Sequence, residues 1–323
     1  LFVLDFYKPI PLEQIEAVLR RVAENHPKRP IIETKRKFLD SGYQGEKRLN
    51  YFLIPGKKYH IFHGLRLPIG NTFFQIDALL ISPKITIIIE SKNYAGSLKI
   101  EKDQLTQEIN ESKEVYDNPL AQAIRHKILL QYFLENYQLQ LAPIEVLVVM
   151  TRSSSVIQVA TGYHEASKKV LKVANLLKKI EELEKYYSID RVDQKTIGKV
   201  RKLLFKKNTP LRIDVLRTYS IQRWEIITGV RCYKCFHMPM QFYRQKWICR
   251  HCKSESKDAY LEAINDHFLI FGVPITNKEI REYLHIPNGR QATYFLRLCN
   301  LPSTGTNKGR IYHQPKPKQC LFL

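Results

Sequence analysis

Residues 73–92, FFQIDALLISPKITIIIESK, constrain this chain more than any other stretch. Two apolar segments rich in β-branched residues flank Ser82, Pro83 and Lys84, so they read as the two strands of a hairpin. Ile87, Ile88 and Ile89 are apolar on consecutive positions, hence on both faces, which predicts an interior strand. Against this background stand Asp77 in the first strand and Glu90 and Lys92 at the end of the second. Side chains alternate along a strand, so Glu90 and Lys92 share one face and Ser91 takes the other. Pro83 cannot adopt the positive φ of a primed two-residue turn, so a four-residue connection over residues 82–85 is expected. Leu80 then lies opposite Ile87, and Asp77 opposite Glu90. A slip of one residue would separate the two carboxylates onto opposite faces.

Two neighbouring carboxylates ionise together cheaply only around a cation. Hard oxygen ligands suit Mg²⁺ or Mn²⁺, which keep water in their coordination sphere. Lys92 on the same face would stabilise charge growing on a phosphoryl group or orient the attacking water. The plainer alternative is a solvated strand face with an ion pair worth less than about 1 kcal/mol.

Around the hairpin, PLEQIEAVLRRVAEN has the period of an amphipathic helix, and HPKRP breaks it. A second helix is expected to start near Ser41 or Gly42. DNPLAQAIRHKILLQYFLENY predicts a helix with Pro119 in its first turn, and IEVLVVM a buried strand. SKKVLKVANLLKKIEELEKYY and TIGKVRKLLFKK read as basic amphipathic helices. Helix, strands, helix, strand give an α/β core followed by a helical annex.

Asp77 followed by Glu90, Ser91 and Lys92 resembles the D…(D/E)xK signature of the restriction-endonuclease-like superfamily. The surroundings resemble its nuclease-related domain, NERD: Gly45-Glu46, Gln75-Ile76-Asp77, Glu90-Ser91-Lys92-Asn93-Tyr94 with Gly96, and Asn118-Pro119-Leu120 with Gln122. The resemblance covers residues 41 to 155, and Ile76 stands where proline often precedes the aspartate. It implies a restriction-endonuclease-like α/β core, a mixed central sheet flanked by helices. It also implies Asp77 and Glu90 as ligands of Mg²⁺ or Mn²⁺, the Ser91 carbonyl as a third, and Lys92 as the catalytic lysine. Glu46 would position metal or water from the first helix, and Gln122 would face the site from the later one.

Downstream, Cys232-x2-Cys235 and Cys249-x2-Cys252 are separated by thirteen residues. Four thiolates close a tetrahedral Zn²⁺ shell with no open position, so a structural zinc ribbon is expected, with MQFYRQKWIC as its strand. Cys299 reads as a small buried hydrophobe in a helix. AYLEAINDHFLIFG predicts one helix, TNKEIREYLHI a second opened by a Thr276–Glu279 capping box, and RQATYFLRLCNL a third. The pattern resembles a helix-turn-helix with STGTNKGRIYH as a wing, which would turn Arg290, Gln291, Thr293, Tyr294 and Arg297 toward a major groove. Arg244 and Lys246 on the ribbon would contact phosphates.

The chain carries 52 Lys and Arg against 31 Asp and Glu, a net charge of +21, which favours a polyanionic partner. No run approaches the ~18 apolar residues of a membrane span, and no secretory signal is evident, so a cytoplasmic protein without a membrane partner is expected. The expected organisation is an N-terminal helical extension (1–40), a nuclease-like domain (41–160), a basic annex (161–228), a zinc ribbon (229–257) and a helix-turn-helix-like domain (258–323). Together these readings predict a metal-dependent nuclease with nucleic acid as substrate, DNA favoured over RNA. The rival is a DNA-binding regulator built on a degenerate nuclease scaffold.

Overall fold

The computed structural model describes residues 1–53, 58–306 and 309–314. The basic tail PKPKQ, Cys320 and two residues of the expected wing lie outside them. The chain opens with strand β1 (Phe2–Leu4) and helices α1 (Ile10–Arg21) and α2 (Arg29–Phe52). Among the described residues it divides into two compact units, one built from Leu1–Lys8 and Asp40–Leu211, the other from Pro9–Leu39 and residues 212–314. α2 corrects the expected start near Ser41: it begins at Arg29 and runs 24 residues. Pro30, read as part of a breaker, occupies the first turn, where its missing N–H costs no hydrogen bond.

The first unit is organised by a six-stranded sheet. After α2 the chain forms β2 (His60–Ile69), β3 (Thr72–Ile81) and β4 (Thr86–Lys92), then a smaller sheet of β5 (Ser97–Ile100), β6 (Gln104–Ile109) and β7 (Ser112–Asp117). Helix α3 (Pro119–Glu135) leads back to β8 (Ile144–Met150), and β9 (Val156–Val159) completes the smaller sheet. Next come α4 (His164–Lys169), β10 (Val170–Lys172), α5 (Leu176–Tyr186) and α6 (Gln194–Lys207). The central order is β1-β2-β3-β4-β8-β10, with β2-β3-β4 antiparallel and β1, β8 and β10 paired in parallel. It is a mixed sheet with helices on both faces. Leu120, Ala123 and Leu130 of α3 pack into one core cluster with Phe74, Leu79 and Ile88. Leu49 of α2, Leu53 just after it, and Leu176 and Ile180 of α5 pack into another with Ala78, Leu80, Ile87 and Ile89.

The expected register holds: Leu80 pairs with Ile87, and the last pair before the turn is Ile81 with Thr86. The four-residue connection is closed by Ser82, whose Oγ donates to the Ile85 carbonyl at 2.7 Å and accepts from the Ile85 N–H at 3.1 Å. The paired ladder ends at Ala78 and Ile89, one residue short of Asp77 and Glu90. On the other side of β3, pairing with β2 omits Asp77 and Gly64, and Gly64 has φ +57°, a conformation that glycine adopts freely. Strand β2 itself was not anticipated. Nor were β5–β7, β9 or β10, and Val170–Lys172 corrects the helix expected there by pairing with β8.

The second unit contains α1, α7 (Val215–Tyr219), a three-stranded sheet of β11 (Gln241–Tyr243), β12 (Lys246–Ile248) and β13 (Glu255–Ser256), and helix α8 (Tyr260–Phe271). It ends with β14 (Ile275–Thr276), α9 (Asn277–Leu284), α10 (Gly289–Leu298), β15 (Ser303–Thr304) and β16 (Ile311–Tyr312), in sheet order β14-β16-β15. MQFYRQKWIC is thus not one strand but a hairpin. Arg244 and Gln245, both at positive φ, make its turn. The Thr276–Glu279 capping box forms as expected. Cys299 caps the end of α10, half-buried, rather than lying within the helix.

One buried ion pair anchors this unit. Arg21 and Asp266 are both fully buried; Arg21 Nε donates to Asp266 Oδ2 at 2.8 Å, and Arg21 Nη1 donates to the Ile227 and Gly229 carbonyls. Arg20 Nη2 reaches the other Asp266 oxygen at 2.6 Å. Removing the carboxylate would strand a guanidinium without water. Asp266→Ala is therefore expected to cost about 3–5 kcal/mol in urea unfolding followed by tryptophan emission. A cost below about 1 kcal/mol would show that the pair is replaceable by solvent.

Candidate active site and metal centre

The end of β4 carries the site. Glu90 is 3 % exposed, and its Oε1 accepts a hydrogen bond from Lys92 Nζ at 2.8 Å. The same ammonium donates to Gln122 Oε1 of α3 at 2.9 Å. Asp77 Oδ2 accepts from the Ser91 N–H at 2.8 Å and from Ser91 Oγ at 2.9 Å. Ser91 thus meets Asp77 through its amide and hydroxyl. The predicted residues form two hydrogen-bonded groups, Asp77 with Ser91 and Glu90 with Lys92 and Gln122, and the charges of Glu90 and Lys92 act on Asp77 across them.

Glu46 joins them electrostatically from α2. Burial, then Asp77 and Glu90, push its carboxyl up to about 8. Burial, then Glu90, raise Asp77 to about 7 despite the opposing Ser91 hydrogen bonds and the Lys92 charge. Burial lowers the Lys92 ammonium, but attraction and hydrogen bonding to Glu90 outweigh it and hold its pKa above the usual lysine value. Three carboxylates served by a single lysine do not all ionise cheaply, and a divalent cation would reverse the two upward shifts.

His126, one turn beyond Gln122 on α3, was not anticipated. Its Nδ1 lies 3.5 Å from Glu90 Oε2, and both atoms are buried without a hydrogen-bond partner. The signal was available, since residues four apart share a helix face.

Two local devices hold the frame. Asn93 spans α2, donating to the Ser41 carbonyl at 2.8 Å and accepting from Arg48 Nη1 at 3.2 Å. The helix crosses it at Gly45, where an added Cβ would stand 2.7 Å from Asn93 Cβ and 3.0 Å from Thr151 Oγ1. Gly42, three residues earlier, has nothing within 4 Å of its Cβ position. The same substitution should therefore have opposite signs. Gly42→Ala is expected to stabilise by up to about 1 kcal/mol through helix propensity. Gly45→Ala is expected to destabilise, because overpacking of about 1–3 kcal/mol exceeds that gain. Equal effects in chemical denaturation would refute the close contact. At the other end, Asn118 caps α3: its Oδ1 accepts from the Leu120 and Ala121 N–H groups, and its Nδ2 donates to the Glu101 and Lys102 carbonyls and Tyr163 Oη.

The four cysteines converge. Sγ of Cys232, Cys235, Cys249 and Cys252 all lie within 4.8 Å of one another. Cys232 and Cys252 sulfurs are 3.6 Å apart, and those of Cys235 and Cys249 are 3.5 Å apart. These separations are too long for a disulfide bond and close to the ~3.8 Å edge of a tetrahedron with 2.3 Å metal–sulfur bonds. Burial raises the Cys232 thiol, but hydrogen bonds from the Cys235 N–H, Ser254 Oγ and the Lys234 N–H bring it down to about 6. Among the described residues, no group of three or more carboxylates and histidines is similarly compact.

The expected nucleic-acid contacts divide. Arg290, Tyr294 and Arg297 are exposed on α10, whereas Gln291 and Thr293 are half-buried. Thr293 Oγ1 donates to the Gly289 carbonyl and accepts from Asn277 Nδ2, so it does not face outward freely. Lys246 Nζ pairs with Glu255 at 2.5 Å, and the Arg244 guanidinium lies over the Tyr243 ring.

A mixed sheet flanked by helices, with an aspartate on one strand and Glu-x-Lys ending the next, defines a restriction-endonuclease-like α/β core. Residues 41–151 match the family model NERD, the nuclease-related domain. This segment gives the chain a nuclease-related character and implies a nucleic-acid substrate. Searches of curated proteins and of solved structures found no match. No helix among the described residues is long and apolar enough to cross a membrane.

Proposed function

We propose that the chain is a metal-dependent nuclease that hydrolyses phosphodiester bonds, with DNA favoured over RNA. The observation that carries this reading is the Lys92 ammonium, held between Glu90 Oε1 and Gln122 Oε1 beside Asp77 at the end of an interior strand. The donor set suits Mg²⁺ or Mn²⁺: its oxygens are hard, and Glu90 Oε2 is buried with no hydrogen bond. Asp77 and Glu90 would hold the ion, with the Ser91 carbonyl as a third oxygen. Bound there, it supplies Lewis-acid polarisation and an activated water.

The chain's own residues do the rest. The Ser91 amide and hydroxyl fix Asp77, so its carboxylate is oriented before substrate arrives. Gln122 fixes the Lys92 ammonium without neutralising it, leaving a positive charge to stabilise the oxygens of the reacting phosphate. Glu46, from α2, would orient the attacking water.

Four thiolates at tetrahedral spacing support a structural Zn²⁺ in the ribbon. The order α8, β14, α9, α10, β15, β16 with sheet order β14-β16-β15 supports a winged helix-turn-helix reading of the C-terminal segment. Its outward contacts to nucleic acid would be Arg290 and Arg297, with Tyr294 between them. On the ribbon, Arg244 is the freer phosphate contact and Lys246 must first leave Glu255.

The test is cleavage of end-labelled DNA and RNA with Mg²⁺, with Mn²⁺ and with EDTA. Cutting that requires a divalent ion, faster on DNA, is expected. DNA that is bound but uncut under every metal would leave the second reading, a DNA-binding regulator. The exposed Arg290, Tyr294 and Arg297 of α10, which lie outside the nuclease-like segment, are the feature that favours that reading.

A further inference from the structure

A cleft of about 350 Å³ runs beside the carboxylates, lined by Phe73, Gln75 and Asp77 of β3 and Gln122, Arg125 and His126 of α3. We propose that this cleft receives one unpaired nucleobase of the strand being cut, so that the site acts on single-stranded or frayed nucleic acid in preference to intact duplex. The proposal rests on the nuclease reading above and adds the substrate class.

The volume lies at the low end of the roughly 300–1,000 Å³ typical of small-ligand sites. It suits one nucleoside-sized group. Phe73 is 44 % exposed even though the Arg66 guanidinium lies 3.7 Å from its ring centroid. Arg66 is itself tied to the Thr209 carbonyl by Nη1 at 3.0 Å. The Arg66 guanidinium thus covers part of the ring, and the rest is exposed before any ligand arrives. Inside a duplex both faces of each base are covered by neighbours, so stacking on this ring requires an unstacked base. Gln75, exposed on the same strand, offers an amide donor and acceptor at the base edge. Exposed Arg125 offers a charge to the backbone phosphate. Phe73 stands four residues from Asp77, about 13 Å along the strand. The base bound there and the phosphate under attack would belong to neighbouring nucleotides.

The experiment compares wild type, Phe73→Ala and Phe73→Trp on a single-stranded oligonucleotide and on the same sequence as duplex, both with Mg²⁺. In parallel, binding of a single strand containing 2-aminopurine is followed in EDTA, where its emission reports unstacking. Wild type is expected to cut the single strand at least tenfold faster than the duplex. Phe73→Ala is expected to reduce that preference about tenfold and to weaken 2-aminopurine binding by a similar factor. Phe73→Trp should retain both. Duplex cut as fast as single strand, or a Phe73→Ala loss equal on both substrates, would overturn the proposal. If wild type cuts nothing, the nuclease reading falls by itself. The EDTA binding then decides the cleft: dependence on Phe73 sustains a base site, and independence ends it.

Discussion

Lys92→Ala is expected to reduce cleavage of nucleic acid by about 10²–10³-fold or more, the range seen when one preorganised charge-stabilising donor is removed. Lys92→Arg should not rescue it, because a planar fork cannot occupy a point held by Glu90 Oε1 and Gln122 Oε1 at 2.8 and 2.9 Å. Gln122→Ala should cost far less, since the ammonium keeps its bond to Glu90. The graded order separates a catalytic cation from a structural one. A purely structural Lys92 would lower stability in step with activity, whereas a catalytic one lowers kcat while the circular dichroism and melting temperature of Lys92→Ala stay near wild type. Equal rates for wild type and Lys92→Ala would move the activity away from this site altogether.

Treating the cysteine cluster with a strong chelator should produce the largest structural effect. Apparent binding energies of structural zinc, about 10–16 kcal/mol, match or exceed the ~5–15 kcal/mol stability of a whole domain. The chain's two tryptophans, Trp224 and Trp247, both lie in the second unit, and Trp247 is 1 % exposed against Phe242 and Phe295. Its emission is therefore a local reporter. One zinc per chain is expected by elemental analysis. A strong chelator, or Cys249→Ser, should shift emission to the red as the ribbon opens. Metal-free protein whose emission ignores both treatments would show that the four sulfurs form no metal site.

The sequence revealed the hairpin and its charged residues because two strong local signals agreed there. Pro83 excluded the shortest turn, and the isoleucine triplet demanded an interior strand, so one register remained. Strand β2 escaped because Gly64 and Pro68 interrupt it, and both normally argue against a central strand. Gly64 is there for a nonlocal reason: it lies across from Asp77, at the point where the ladder is broken. Strands β5–β7 are short and partly polar, and what defines them is pairing with one another, which no window of sequence displays. The start of α2 was misread because a proline that ends one helix and one that opens another look alike until the chain around them is seen. Glu46 and Gln122 could be placed only by resemblance. Their positions depend on α2 and α3 packing against opposite faces of the sheet, a fact of tertiary structure.

The bonds of Asn118 have a consequence for what lengths this segment tolerates. A helix advances about 1.5 Å and turns 100° per residue. Slippage by one position would therefore present Ala121 or Ala123 to Lys92 in place of Gln122. With both its cap and its loop contacts drawn from a single amide, the helix has only one axial setting. Added residues in the exposed β6–β7 turn leave that setting untouched, whereas a single residue inserted between Asn118 and Gln122 rotates the partner of the lysine out of reach.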